Sequence, residues 1–382
     1  MAELIALLES SGAGFVERLQ RIWDEGNACL PVDLRLPAAA RAALLSRMRP
    51  AAIIDEGQRT DLRHSVPVEA GDALVMSTSG TTGAAKGVVL THDAVSAAAW
   101  ATSAAVDADP TQDTWLCCLP TAHMGGLGVV TRALITGTPL VIHDRFDADA
   151  VDRAAADGST LVSLVATAMR RIDTAGFRTI VLGGGPVPPD KPDNAVATYG
   201  LTETHGGVVY GRVPIDGVSM RIADGSGAAT SGEIELSGPM LMRCYRHDGE
   251  GAVASTGVDP LQDGWLATGD LGSIDTEGNL SVSGRKGDLI ISGGENVWPA
   301  PVEAVLAQHP LVDAVAVVGR HDPEWGQAVV AIVEPVDSAQ VPTLDDLRSL
   351  VKEHLPVFCA PRRLEIAALP RTALGKVVRT DL

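Results

Sequence analysis

The sequence lacks the features that would place the protein in a membrane or direct it out of the cell. It contains no run of about 18 consecutive apolar residues, so we expect no membrane-spanning helix. Its first residues, MAELIALLESSGAGFVERL, carry acids early and lack the basic segment followed by an apolar segment that marks a signal peptide. We therefore expect the protein to be cytoplasmic.

Basic residues and cysteines are also scarce. The chain has 30 Lys and Arg against 48 Asp and Glu, a formal net charge of −18, so repulsion from phosphates argues against a nucleic-acid partner. Its five cysteines lack the spacing of a metal site or a disulfide framework, which is typical of buried, reduced thiols. Of the 382 residues, 46% are hydrophobic and 20% are charged. This length and composition indicate a globular protein of two domains.

The order of helix-like and strand-like segments predicts an α/β fold. Residues 1–50 show helical spacing of apolar residues, and from Asp72 the pattern indicates a strand, a glycine loop and a capped helix that starts at Thr91. Beyond these, strand-like TWLCCLP, PLVIH, LVSLV and TIVLGGG alternate with helix-like GVVTRALITG and DADAVDRAAA, which predicts a layered α/β body. The helical positions expected near the N-terminus include Leu4, Ile5, Leu7 and Leu8.

The residue composition and the secondary-structure pattern change twice in the second half of the chain. Residues 207–285 are rich in Gly, Asp and Ser between short β-like pieces, which predicts a β-rich subdomain. Beyond Gly287 the pattern returns to helices and strands in a compact α+β unit. We therefore predict an N-terminal domain of residues 1–286 and a small C-terminal domain of residues 287–382.

The segment STSGTTGAAKG, residues 77–87, has the composition of a phosphate-binding loop. Its glycines let backbone N–H groups approach a polyphosphate, its hydroxyls are further donors, and Lys86 supplies positive charge. It is not a Walker A loop, because Gly-Lys-Ser/Thr does not occur in it. A solvated linker is the plain alternative, which the preceding strand disfavours. The residues predicted to bind the nucleotide here are Ser77, Thr78, Ser79, Gly80, Thr81, Thr82 and Gly83.

This loop resembles the signature of the acyl-adenylate-forming (AMP-binding) superfamily of acyl-CoA synthetases, luciferases and peptide-synthetase adenylation domains. Four further motifs follow in the family's order: YGLTET from Tyr199, TGD from Thr268, GRKGDLIISGGEN from Gly284 and PRTALGK from Pro370. The resemblance implies a large N-terminal adenylate-forming domain and a small, mobile C-terminal lid. It also implies ATP, Mg²⁺ and coenzyme A as ligands.

The resemblance also implies roles for individual residues. Tyr199, with Gly200 and Gly184, would lie by the adenine, and Asp270 would accept hydrogen bonds from the ribose hydroxyls. Arg285 would contact the ribose or a phosphate. The residues expected to be catalytic are Lys86, His123, Thr202, which would bind the phosphates, Glu203, which would hold Mg²⁺, and Lys376, which would reach the reacting carboxylate and the α-phosphate. His123 would form a wall of the acyl pocket and would be in a position to hydrogen-bond the carboxylate of the acid.

A second set of residues would serve the transfer to a thiol. Gly287 stands at the position of the family's hinge, about which the small domain would rotate between the two half-reactions. Glycine absorbs a large backbone change without a Cβ penalty, so rotation is compatible with this sequence. Gly293, Gly294 and Glu295 would line the tunnel for coenzyme A.

A narrower resemblance concerns the acid. Only 76 residues precede Ser77, so the N-terminal subdomain is abbreviated, as in compact o-succinylbenzoate–CoA ligases of menaquinone biosynthesis. The segment PTAHMGGLGVVTR is similar to theirs, and Arg132 in it would bind a second carboxylate of the acid. The residues expected around the acid are His123, Arg132, Gly183, Gly185 and His205.

Three other functions remain open at this point. The chain is compatible with a CoA ligase for another aromatic or aliphatic acid, an enzyme that loads a carrier protein, or a nucleotide-binding regulator without activity. No carrier domain follows Lys376 before the last residue, Leu382, which favours free coenzyme A. A regulator would be expected to lack one of the charged motif residues, all of which are present. The oligomeric state, including a homodimer, is left open by the sequence.

Overall fold

The structure is a computed structural model, and its described residues form two compact units. The described residues are 1–79, 85–185, 187–188, 190–223, 231–246, 257–258, 261–371, 377–379 and 382. The first unit comprises Met1–Met220 and Glu235–Ala267, and the second comprises Arg221–Ile234 and Thr268–Leu382. The predicted division between residues 286 and 287 concerns which residues move together, and it stays a prediction.

Eight α-helices occur among the described residues. None of these helices is both long and apolar enough to cross a membrane. Their bounds are α1 Ala13–Asp24, α2 Ala38–Met48, α3 His92–Ala105, α4 Met124–Thr136, α5 Ala148–Ala156, α6 Ala166–Met169, α7 Pro299–Leu306 and α8 Leu344–His354.

The first sheet has eight strands. They are β1 Leu4–Leu8, β2 Ala28–Pro31, β3 Ala52–Asp55, β4 Gln58–Asp61, β5 Asp72–Ser79, β6 Ala85–Thr91, β16 Cys244–Arg246 and β17 Gly257–Val258. The order is β17-β16-β6-β5-β2-β1-β3-β4. Strand β1 is parallel to β2 and β3, whereas β5 and β6 form an antiparallel hairpin around the glycine loop. The loop is therefore followed by a second strand before the predicted helix, which begins at His92 with the Thr91 hydroxyl as its N-cap.

The second sheet carries the layered α/β arrangement that the sequence predicts. Its strands are β7 Trp115–Cys117, β8 Leu140–Ile142, β9 Leu161–Leu164, β10 Thr179–Leu182, β11 Ala195–Leu201, β12 Gly206–Tyr210 and β13 Val213–Pro214. The order is β13-β12-β11-β10-β9-β7-β8, in which β8, β7, β9, β10 and β11 are parallel. Helix α3 packs against β5 and β6 of the first sheet and β12 of the second, so helices fill the space between them.

Two smaller sheets complete the fold. The third contains β14 Ser219–Ala223, β15 Ser231–Ser237, β18 Leu261–Gln262, β19 Trp265–Ile274 and β20 Leu280–Arg285. The fourth contains β21 Ile290–Ser292, β22 Glu295–Val297, β23 Val312–Asp322, β24 Gly326–Pro335 and β25 Arg363–Ile366. The predicted β-rich region of residues 207–285 thus contributes to three sheets, because β12 and β16 pair with strands from earlier in the chain.

The helix predicted at the N-terminus is wrong for Leu4, Ile5, Leu7 and Leu8, which lie in strand β1. This strand is central in its sheet, and Leu4 to Leu7 have no exposed surface. A parallel strand that is covered on both faces is a continuous apolar run, and such a run has no two-residue period to distinguish it from a buried helix. The predictions for the helical segments around Phe15 and RAALLSRM are confirmed by α1 and α2.

The first turn of helix α4 packs tightly against the backbone of the loop that precedes it. A Cβ at Gly126 would lie 2.3 Å from the Leu119 carbonyl oxygen and 2.5 Å from that of Pro120. Backbone atoms cannot yield at such distances, so only glycine allows this approach. The contact fixes the start of α4, and with it the position of His123, the N-cap residue.

We expect Gly126→Ala to destabilise the protein by about 2 kcal/mol or more, because the added methyl group must displace backbone. Thermal unfolding of the purified protein measures this. The control is Gly128→Ala in the same helix, where the nearest atom to a Cβ is Arg132 Nη2 at 3.7 Å. Equal unfolding midpoints for the two variants would contradict the tight approach at Gly126.

Candidate active site

The hairpin of β5 and β6 positions the predicted phosphate loop. Thr78 pairs with Lys86 and Ser77 with Gly87 at the end of the hairpin, so the loop begins and ends at neighbouring points of the first sheet. A Cβ at Gly87 would lie 2.7 Å from the Met48 sulfur, which explains a glycine directly after the lysine. The predicted ligands Gly80, Thr81, Thr82 and Gly83 lie outside the described residues, as does the side chain of Ser79.

Lys86 and Glu203 are connected through Tyr245, a residue that no motif indicated. The Lys86 ammonium lies 5.0 Å from the centre of the Tyr245 ring, and the Tyr245 hydroxyl donates a 2.8 Å hydrogen bond to Glu203 Oε1. Tyr245 reaches this place because β16 pairs with β6, which sets Tyr245 opposite Val88. The structure therefore brings a predicted cation and a predicted carboxylate of the nucleotide site to one aromatic side chain.

The backbone around Glu203 is fixed by its neighbours. Leu201 N donates to the Thr204 hydroxyl at 2.9 Å, and this hydroxyl in turn donates to the Gly206 carbonyl at 2.7 Å. The Glu203 carbonyl accepts a 2.7 Å bond from Met242 N. Thr202, Glu203 and Thr204 form one turn of 3₁₀ helix directly after β11, whose last residues are Tyr199, Gly200 and Leu201. The motif is thus a rigid turn at the end of a parallel strand.

The single carboxylate of Glu203 suits Mg²⁺, which commonly binds one or two carboxylates together with substrate phosphates and water. Among the residues that the structure describes, no group of three or more His, Cys, Asp or Glu side chains forms a site for a metal ion. Glu203, held by Tyr245, fits a cation that a nucleotide brings with it.

Arg132 is a buried cation whose hydrogen bonding is incomplete. Its Nε donates to the Gly128 carbonyl at 2.7 Å, its Nη2 donates to the Ser163 hydroxyl at 3.2 Å, and its guanidinium stacks on the Trp115 ring at 4.5 Å. The buried Nη1 has no hydrogen-bond partner among the described residues. Burial lowers the pKa of Arg132, but a guanidinium stays protonated in proteins. Among the described residues, no carboxylate therefore pairs with this positive charge.

His205 lies beside this guanidinium and is uncharged. Its Nε2 is 3.4 Å from the Thr131 hydroxyl, and the residue is buried. Burial, followed by the positive field of Arg132, lowers the pKa of His205 to about 3. The pair at the α4–β12 contact thus carries one positive charge at neutral pH.

The three predicted glycines follow β10 at the carboxyl edge of the second sheet. A Cβ at Gly183 would lie 2.9 Å from the Thr198 hydroxyl, and Gly184 adopts a φ of +80°. No atom of the described residues lies within 4 Å of a Cβ placed on Gly185. Ligands of open α/β sheets bind at this edge, where the parallel strands end. The glycine turn therefore leaves bare backbone where a planar ligand can approach it.

The His123 side chain is hydrogen-bonded by a residue that follows strand β2 of the first sheet. Its Nε2 lies 2.9 Å from Asp33 Oδ2, and Arg35 donates to the same carboxylate through Nε and Nη2, both at 2.8 Å. Burial would raise the pKa of Asp33, but the hydrogen bonds from Arg35 and His123 outweigh it and hold that pKa well below its usual range. Burial lowers the pKa of His123, against the opposing effect of Asp33.

In the second unit, Asp270 and Arg285 are neighbours. They pair across β19 and β20, and Arg285 Nε lies 2.9 Å from Asp270 Oδ1. Arg285 Nη1 also donates to the Thr268 carbonyl at 3.0 Å. Glu233, which the sequence did not single out, accepts from Gly269 N at 3.0 Å and from Lys286 Nζ at 3.1 Å. The two predicted ribose contacts are thus adjacent and fixed by hydrogen bonds.

The predicted tunnel loop is a tight hairpin in the second unit. Gly293 and Gly294 have φ values of +61° and +84° between β21 and β22, which pair Ser292 with Glu295. A Cβ at Gly293 would lie 2.7 Å from the Trp325 ring. Within the described part of the chain, no atom lies within 4 Å of a Cβ placed on Gly287, the predicted hinge. Lys376 lies outside the described residues.

Comparisons with known proteins agree with these motifs. Residues 55–246 match the family described as AMP-binding enzyme, and residues 301–376 match the AMP-binding enzyme C-terminal domain. The chain belongs to this family.

Two of its relatives in the family are named as 2-succinylbenzoate–CoA ligases. The probable 2-succinylbenzoate–CoA ligase of Mycobacterium tuberculosis (strain ATCC 25618 / H37Rv) is 37% identical over 346 residues, which cover 84% of this chain and 86% of the relative. The 2-succinylbenzoate–CoA ligase of Listeria monocytogenes serotype 4b (strain F2365) is 34% identical over 339 residues, 81% of this chain and 69% of the relative.

Solved structures show the same fold. The o-succinylbenzoate CoA synthetase of Bacillus subtilis, in complex with the acyl-adenylate intermediate OSB-AMP, has a TM-score of 0.86 and 28% identity, with 99% of this chain and 87% of that chain covered. The same enzyme is also known in complex with ATP and magnesium ion, with a TM-score of 0.86, 28% identity and 100% and 89% coverage. The predicted membership of the AMP-binding superfamily and the predicted fold class are confirmed.

We expect Tyr245→Phe to lower kcat/KM for ATP about tenfold or more, because a hydrogen bond to a charged group contributes ~1.5–3 kcal/mol. Acid-dependent pyrophosphate exchange, measured over a series of magnesium concentrations, checks this. Tyr245→Leu is the matched variant, since it also removes the ring beneath Lys86 and should cost more. A Tyr245→Phe enzyme with unchanged exchange kinetics would show that Glu203 needs no such support.

Proposed function

We propose that this protein is an ATP-dependent acid–CoA ligase that converts 2-succinylbenzoate into its acyl-adenylate, releases pyrophosphate and then transfers the acyl group to coenzyme A. The single observation that carries the choice of acid is the buried Arg132, whose Nη1 has no partner among the described residues. The names of the relatives support the same acid. The sequence resemblance assigns this step to menaquinone biosynthesis, and the predicted cytoplasmic location and homodimer stay predictions.

The acid has two carboxylates, and only one can react at a time. The second remains charged, and it needs a partner when the substrate leaves water. A guanidinium is suited to this because its planar fork matches a carboxylate. The interaction also removes the cost of an unpaired buried cation, so both partners gain from binding. Arg132 is therefore proposed to select a dicarboxylic acid.

Adenylation requires the reacting carboxylate to approach an anionic α-phosphate. Lys86, the amides and hydroxyls of the loop after β5, and Lys376 are proposed to offset this repulsion. Glu203, positioned by Tyr245 at 2.8 Å, is proposed to hold Mg²⁺, which supplies charge neutralisation at the phosphates when it is bound. The carboxylate is ionised at neutral pH, so this step needs no base.

The remaining predicted residues act on the nucleotide and on the thiol. Asp270 is proposed to accept hydrogen bonds from the ribose hydroxyls, with Arg285 beside it. Tyr199 is proposed to lie by the adenine. After adenylation, rotation about Gly287 is proposed to remove Lys376 and to present Gly293, Gly294 and Glu295 to coenzyme A.

A ligase for another acid differs from this proposal in what Arg132 binds. A monocarboxylic acid would leave the guanidinium unpaired, at a cost that a well-matched substrate would not carry. An enzyme that loads a carrier protein would turn over poorly with free coenzyme A, and a regulator would release no pyrophosphate. Pyrophosphate release over a series of acids, with and without coenzyme A, therefore distinguishes four functions. These are the proposed 2-succinylbenzoate ligase, a ligase for another acid, a carrier-loading enzyme and a regulator.

We expect Arg132→Met to raise KM for 2-succinylbenzoate at least tenfold, because the distal carboxylate would then lose its ion pair, a charge-assisted bond of ~1.5–3 kcal/mol. Analogues in which one carboxylate is replaced by a carboxamide are the matched substrates, and for those that still react the variant should change KM less than about threefold. Thermal stability without ligand should not fall, since removing an unpaired buried charge is not costly. An equal loss for the acid and its analogues would remove the argument for a dicarboxylic substrate.

Lys376→Ala tests the assignment of the two half-reactions. We expect it to reduce adenylation at least a hundredfold, because the positive charge at the reacting carboxylate is lost. Thiol transfer from presynthesised acyl-adenylate should change less than about threefold, since the lysine has no role in that step. Stopped assays of each half-reaction provide the measurement. A similar loss in both would contradict the proposed role.

A further inference from the structure

Two loops of the first sheet hold the segment that carries His123. The Ser11 hydroxyl, after β1, accepts from Thr121 N at 3.1 Å and lies 3.2 Å from the Thr121 hydroxyl. Asp33, after β2, bonds His123 at 2.9 Å. Strands β1 and β2 are parallel, so both contacts come from their carboxyl ends. Residues that follow the first two strands thus position a predicted active-site histidine.

The charge state of Asp33 decides which nitrogen of His123 carries the proton. Asp33 has 8% of its surface exposed, and its pKa is held below the usual range by Arg35 and His123 against burial, so its carboxylate is ionised and can only accept. His123 Nε2 must therefore be the donor. In the neutral imidazole Nδ1 is then an unprotonated acceptor. Nδ1 has no hydrogen-bond partner among the described residues, and the side chain is 31% exposed.

His123 Nδ1, as an acceptor, does not form a hydrogen bond with the acid substrate, because the carboxylates and the ketone oxygen of the acid are acceptors as well. The thiol is different. A free thiol has a pKa of about 8.5 and is mostly protonated at neutral pH, whereas only the thiolate is a strong nucleophile. A nucleophile with an adjacent base, and a third group that orients the base, is a recurring catalytic arrangement.

We propose that Asp33 is a positioning residue that fixes His123 in the Nε2–H tautomer, and that His123 Nδ1 accepts the proton of the thiol during acyl transfer. The inference rests on the proposed function and deepens its second step. The S–H bond breaks and its proton moves to Nδ1, the sulfur forms a bond with the acyl carbon, and the bond between that carbon and the phosphate oxygen breaks as AMP leaves. The resulting imidazolium is stabilised by the Asp33 carboxylate and returns its proton to solvent.

Charged groups around His123 determine the expected pH dependence. Burial lowers the pKa of His123, Asp33 raises it and Arg35 lowers it further. His123 is active in this role when neutral, so thiol transfer should decline as the pH falls through its pKa. In a variant without the Asp33 charge, the effect that raises the pKa of His123 is lost, so this pKa falls. The acid limb of the profile should then move to lower pH, which a purely structural effect of the substitution would not produce.

The test uses Asp33→Asn, with thiol transfer from presynthesised acyl-adenylate followed between about pH 5.5 and pH 9. We expect kcat for transfer to fall about tenfold or more, the acid limb to move to lower pH, and adenylation to change less than about threefold. The control is Asp113→Asn. Asp113 is a buried aspartate bonded to Arg178 at 3.0 and 2.7 Å without a histidine, and its loss should leave the acid limb in place.

A double-mutant cycle separates this role from a loss of folding. His123→Asn should abolish the acid limb, and adding Asp33→Asn to it should cost little more, because the two residues act as a unit. Additive losses, or an Asp33→Asn profile with an unmoved acid limb, would overturn the inference. Absence of any thioester or pyrophosphate from the unaltered enzyme would instead overturn the proposed function.

Discussion

A charge that leaves water must find a partner, and this constraint organises the first unit. Asp113 is paired with Arg178, and Asp72 is paired with Arg243 through bonds of 2.9 and 2.8 Å. Each of these carboxylates is buried and is paired with a guanidinium, so neither carboxylate is left as an uncompensated buried charge when no ligand is bound. Arg132 differs from these pairs, because its contacts among the described residues are a carbonyl, a hydroxyl and a ring. This incomplete pairing is the observation that supports the proposed binding of a carboxylate at Arg132.

The same reasoning explains how a chain with a net charge of −18 serves an anionic substrate and a nucleotide. A diffuse negative field is screened by salt within about 10 Å, whereas a buried guanidinium acts at contact distance in a medium of lower dielectric constant. The ammonium of Lys86, against the Tyr245 ring, acts locally in the same way. Substrate recognition therefore depends on where a few cations lie and on what surrounds them.

Much of the fold and most of the motif residues could be predicted from the sequence, because strands and glycine loops are local patterns. The errors and omissions have one physical origin. The sequence pattern of strand β1 also fits a helix, because burial of both faces depends on its neighbours in the sheet. Tyr245 and Asp33 were missed because they act across 42 and 90 residues of chain, and no local spacing encodes such contacts. Arg132 could be singled out by its motif, but that no described carboxylate pairs with it could only be seen in three dimensions.

The neutrality of His205 keeps the charge at Arg132 constant over a wide pH range. Its pKa of about 3, caused first by burial and then by Arg132, means that it remains unprotonated well below neutrality. In the unfolded chain a histidine takes up a proton near pH 6.5, so acidification between these values favours unfolding instead of adding a second charge to the site. Arg132 therefore carries the single positive charge of this pair near neutral pH, which is the charge state that the proposed recognition of a carboxylate requires.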